Sequence, residues 1–130
     1  MKESTVKVLD EEDREFADIL RSLGMDRNTA ILVTYLAIAG EATSREFESG
    51  AGLRQPEVSI AMRDLREKNW VGQREVKVGG KGRPSLVYTL TTPSDEIIQS
   101  LEDEILREHA EVMENIQKLK GLVCLGYKPL

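Results

Sequence analysis

A chain of 130 residues, 40% hydrophobic and 32% charged, has room for one domain with a real core and one further element. No apolar run is long enough to cross a bilayer and Met1–Asp10 lacks the apolar stretch of a signal peptide, so a cytoplasmic protein with no membrane partner is expected. The formal charge of −5 speaks against a uniformly basic protein, and the single Cys124 excludes an internal disulfide.

Asp10 opens a first helix with acids in its first turn, which suits the helix dipole. Phe16, Ile19, Leu20 and Leu23 form its apolar stripe, and Gly24 stops it. Asp26 caps a second helix, Arg27 to Ala39, whose apolar residues (Ile31, Leu32, Val33, Tyr35, Leu36, Ile38) lie on most sides and place it centrally in the core. Thr43 or Ser44 caps a short third helix ending near Gly50. Gln55 and Pro56 open a fourth, with proline in the first turn, where its missing N–H costs nothing. Val58, Ala61, Met62 and Leu65 face the core, while Gln55, Glu57, Ser59, Ile60, Arg63 and Arg66 lie partly or wholly outward. Asn69 follows at a position suited to the left-handed conformation.

Trp70–Val78 and Leu86–Leu90 have strand character, separated by the basic glycine loop GGKGRPS. This loop is not a phosphate-binding Walker sequence, because it lacks the spacing and the Lys-Ser/Thr ending. After Pro93, Ser94 caps a last helix running to about Lys120. Ile98, Ile105, Val112 and Leu119 recur every seven residues, joined by Leu101, Ile116 and Leu122. Glu108 and Asn115 interrupt the companion positions, so a strict two-stranded coiled coil is not expected. A second copy of the helix is its expected cover; folding back on its own domain is the alternative.

The order helix, glycine turn at Gly52, helix, strand, basic loop, strand is that of a winged helix-turn-helix. Charge is divided accordingly. From Arg54 to Arg83 eight bases face four acids, whereas the rest of the chain carries ten bases and nineteen acids. In such a module the fourth helix enters the DNA major groove. Gln55 can pair with adenine and Arg63 with guanine or a phosphate; Ser59 can contact base or phosphate, and Ile60 a thymine methyl. Ser44, Arg45 and Arg54 suit phosphates, and Lys81 and Arg83 suit the backbone or minor groove from the loop. Two residues strain the pattern: Glu48 stands where a small alanine is usual, and Glu57 is awkward beside phosphates unless it accepts from cytosine.

Leu23–Val71 resembles the N-terminal winged-helix domain of archaeal TrmB-type transcriptional regulators. RQPEVSIAMRDLREKNWV (54–71) is also similar to the recognition helix of MarR- and ArsR-type regulators, and GRPSLVYTL (82–90) to their wing. The resemblance implies a dimeric repressor or activator on pseudo-palindromic sites, with Gln55, Ser59 and Arg63 as recognition-helix contacts and Lys81 and Arg83 as wing contacts. Asn69-Trp70 replaces the more usual Gly-Leu, and the chain lacks the length for the sugar-binding domain of full-length TrmB proteins. Cys124 and His109 make a poor metal site, and His109 has no nucleophile near it in sequence.

The expected fold is mainly α with a small β-hairpin wing: a winged helix-turn-helix in residues 1–93 and a long C-terminal dimerisation helix with a short tail in 94–130. Its expected partners are double-stranded DNA and a second copy, paired through Ile98, Leu101, Ile105, Val112, Ile116 and Leu119. No catalytic residue, cofactor or metal is expected, and an unidentified small-molecule effector is compatible with this reading. The alternative is a winged helix serving as a protein–protein interaction module in transcription or replication machinery.

Overall fold

The computed structural model describes residues 7–77 and 85–129. Eight elements follow one another: α1 (Glu11–Ser22), α2 (Arg27–Ala39), β1 (Glu41–Thr43), α3 (Ser44–Ala51), α4 (Gln55–Glu67), β2 (Val71–Val76), β3 (Ser85–Leu90) and α5 (Ser94–Cys124). They fall into two compact units that divide between Ile97 and Ile98.

The helices begin where their caps dictate. Asp10 Oδ1 accepts from the Asp13 N–H (2.9 Å) and Asp13 Oδ2 accepts from the Asp10 N–H (3.0 Å). Asp26 accepts from the Asn28 N–H at the start of α2. Thr43, rather than Ser44, caps α3, in a reciprocal box with Glu46. Ser94 is already the first helical residue of α5, which runs beyond Lys120 to Cys124. Asn69 takes the left-handed conformation (φ 61°), as its place after α4 requires.

From Thr29 to Leu36 every residue of α2 is buried, so this helix is the centre of the first unit. Thr34 is accommodated there because its hydroxyl donates to the Ala30 carbonyl (2.8 Å). Ile38, near the end of α2, is exposed. Phe47 of α3 is fully buried between Tyr35 and Tyr88, with ring centroids 5.4 and 5.9 Å away. The segment before α1 is fastened to this core: the Leu9 N–H donates to the Gly50 carbonyl (3.1 Å) and the Tyr35 hydroxyl to the Lys7 carbonyl (2.8 Å). Gly50 permits that approach, since a Cβ there would collide with the Lys7 carbonyl and the Tyr35 ring.

Two expectations are corrected. α1 buries Ala17 and Leu20, not the full stripe; Phe16, Ile19 and Leu23 are 37%, 53% and 43% exposed. Packing through the small Ala17 brings α1 onto α2 and turns the bulky residues aside. The sheet also has three strands in the order β1-β3-β2, both pairings antiparallel, rather than a two-stranded hairpin alone. β1 has only three residues and little strand propensity. It exists because β3 offers a free edge, pairing Ala42 with Tyr88 and Thr43 with Val87. Arg74 of β2 reaches Glu41 of β1 (2.6 Å), an ion pair between the two outer strands.

Within residues 98–129, α5 turns nearly all its side chains to solvent. Leu101 is buried and Ile105 half-buried, while Ile98, Val112, Ile116 and Leu119 are exposed. At 3.6 residues per turn these six share one stripe, on which His109 and Val123 also fall. Charged residues occupy the opposite side, where Glu114 and Lys118 pair at 3.7 Å. Cys124 is exposed at the end of the helix.

Candidate nucleic-acid interface

The helix-turn-helix is built from local signals that agree with one another. α3 buries Phe47, Gly50 and Ala51, a three- and four-residue spacing that leaves Glu48 in solvent. Glu48 is therefore accommodated on the exposed side of α3. Gly52 adopts the left-handed conformation (φ 73°), and Leu53 enters the core at the turn. α4 then starts at Gln55, with Pro56 in its first turn.

Glu57 has a local task. Its carboxylate accepts from the Arg54 N–H (2.9 Å) and lies 3.8 Å from the Arg54 guanidinium. These contacts, the backbone bond first, hold its carboxyl below the ordinary glutamate range. A carboxylate engaged at the start of its own helix is not positioned as a free acceptor for cytosine.

The core side of α4 is Val58, Ala61, Met62 and Leu65, all buried. Its outward surface divides by charge. One flank carries Gln55, Ser59, Arg63 and Arg66, all exposed. The other carries Glu57, Ile60, Asp64 and Glu67, which line a groove of about 380 Å³ with Asp26 and Asn28 of the α2 start. Ile60, 68% exposed, thus lies among carboxylates, and Arg63 of the polar flank borders the same groove. Sequence reading overlooked Asp64 and Glu67; helical spacing from Glu57 and Ile60 is the signal that groups them.

The basic stretch is less free than its composition implies. Arg66 donates to the Gln73 side chain (2.9 Å), Arg74 is paired with Glu41, and Lys68 lies 5.0 Å from the centre of the Trp70 ring and 3.9 Å from Asp64. Arg63 has no carboxylate within 4 Å among the described residues, and neither has Arg45 at the exposed start of α3. Ser44 is half-buried. Lys81 and Arg83 lie outside the described residues. The strands on either side of them in sequence, β2 and β3, are paired from Val71–Leu90 to Val76–Ser85.

No family model matches the sequence, and no curated protein matches it. Among solved structures, the chain is similar to NadR in complex with 4-hydroxyphenylacetate, at 16% identity and a TM-score of 0.51, over 97% of this chain and 94% of that one. A MarR family regulator from Neisseria meningitidis is similar at 15% identity and 0.47, covering 88% and 89%. A MarR mutant from E. coli complexed with operator DNA is similar at 18% identity and 0.46, covering 91% and 86%. At these identities the likeness is one of fold: a winged helix-turn-helix followed by a long C-terminal helix.

Proposed function

We propose that this chain is a sequence-specific, double-stranded DNA-binding transcriptional regulator that acts as a homodimer. The observation that carries the reading is the polar flank of α4, where Gln55, Ser59 and Arg63, which has no carboxylate partner among the described residues, stand exposed on the second helix of the helix-turn-helix. In this reading α4 enters the major groove with that flank toward the bases and its acidic flank turned from the phosphates. Arg45, Arg54 and Ser44 hold phosphates, and Lys81 and Arg83 meet the backbone or minor groove. Ile60 belongs at the margin of the contact, because Asp64 and Glu67 repel a backbone brought close to it. The apolar stripe of α5 pairs with a second copy, which sets two α4 helices roughly 34–36 Å apart or at a multiple of that spacing. The narrower likeness to TrmB-type regulators rests on the 23–71 segment alone. A small-molecule effector fits the regulatory reading, and no enzymatic activity is assigned.

A second reading, a winged helix that docks another protein, is favoured by one feature, the acidic groove with exposed Ile60 at its rim. Selection of bound duplexes from a random pool separates the two. The DNA reading expects an enriched, two-fold-related motif. In the selected duplex, Arg63→Ala and Gln55→Ala should each cost about 1–3 kcal/mol of discrimination at one base position. No enrichment at low salt sinks the DNA reading and leaves the protein-docking one.

A further inference from the structure

α1 and α2 border an open hollow of about 200 Å³ that takes no part in the interface described above. Its apolar lining is Leu9, Ala17 and Ile31, all buried, and the exposed Arg14, Arg21 and Arg27 line it as well. Arg14 and Arg21 stand two turns apart on one side of α1, and Arg27 is the first residue of α2. Among the described residues the only acid lining it is Asp18, 3.8 Å from Arg21. Arg14 and Arg27 have no carboxylate within 4 Å among the described residues, and Arg27 donates only to the neutral Asn28 side chain (3.1 Å).

We propose that this hollow binds a phosphoryl group. Arginines from two helices border one hollow, and among the described residues lining it Asp18 is the sole carboxylate, so the hollow favours an anion. Cations approaching from two helices suit a tetrahedral dianion, whose oxygens can each accept, better than a planar carboxylate with two. The volume is room for about six or seven waters at ~30 Å³ each, which fits a phosphate with a small body attached. Such clustering runs against an overall charge of −5 and against the acids that dominate the rest of α1.

The phosphoryl group could come from a free ligand or from a DNA backbone, and one experiment distinguishes them. The full chain is titrated with inorganic phosphate at constant ionic strength, chloride serving as the control, while the arginine Nε–Hε resonances are followed. A saturable shift that weakens at least about tenfold in R14Q/R27Q supports a free-ligand site. Both arginines are exposed and glutamine keeps helix propensity, so circular dichroism should show the variant folded. In parallel, binding to a duplex of arbitrary sequence is measured against salt. A slope flattened by about 0.9 per lost phosphate contact in the variant assigns the site to the DNA backbone. Phosphate shifts that match chloride, together with an unchanged slope, overturn the proposal.

Discussion

Residues 7–97 and residues 98–129 carry similar apolar side chains and use them in opposite ways. In the first unit Leu32, Phe47, Leu53, Val58 and Leu65 are almost wholly buried, the caps of α1, α2 and α3 accept backbone N–H groups, and the described residues hold no unsatisfied buried side-chain polar atom. In the second, one continuous helix shows Val112, Ile116, Leu119 and Val123 to solvent. Burial needs a facing surface, and consecutive turns of one helix cannot cover each other. The first unit finds that surface within its own chain. The second presents a stripe about 38 Å long from Ile98 to Val123 (~1.5 Å per residue), the surface that the proposed second copy would cover.

That contrast can be broken at its strongest point first. Phe47→Ala should destabilise the first unit by about 3–5 kcal/mol, read by denaturant unfolding, because it empties a site fully enclosed by Tyr35 and Tyr88. A loss below 1 kcal/mol would mean that the ring is not the keystone the packing implies. On the other unit, V112E/L119E should weaken self-association about a hundredfold or more by analytical ultracentrifugation and leave the fold of the first unit intact. Wild-type protein that sediments as a monomer at micromolar concentration would remove the homodimer from the proposal altogether.

The smallest effect sharpens the account of the first unit. The folded-state pKa of Glu57 lies below its ordinary value of 4.5, chiefly through the backbone N–H of Arg54, and that of Asp13 lies below 3.8, chiefly through the N–H of Asp10. A lowered folded pKa contributes stability that is present above the ordinary value and lost as pH falls through the lowered one. The thermal midpoint should therefore decline as pH falls from about 4.5 downward, and E57Q should decline less steeply across that window. Identical pH profiles for the two proteins would show that the Glu57 cap does not contribute.

Much of the first unit is legible in the sequence because its signals are local. Asp10, Asp26 and Thr43 mark helix starts with their own side chains, and Gly24, Gly52 and Asn69 mark ends through backbone freedom. The buried side of α4 follows from spacing alone. Glu41–Thr43 was not legible as a strand, since three residues become one only when β3 pairs with them. The stripe of α1 was misassigned because several apolar residues were eligible and the small Ala17 allowed the closest approach. At the candidate interface, residue types were readable but their availability was not. Arg66 and Arg74 look identical to Arg63 in a charge count, yet their partners lie 7 and 33 residues away.

By itself, then, the sequence determined where helices start and stop, that α2 is central, and that bases concentrate between Arg54 and Arg83 of an acidic chain. The tertiary structure decided which side of α1 is buried, that the sheet has a third strand, that α4 shows a polar and an acidic flank, and that Arg14, Arg21 and Arg27 line one hollow. The division has one physical reason. Caps, turns and helical periodicity are satisfied within a few residues, whereas strand pairing, ion pairs and converging charges depend on groups that only the folded chain brings together.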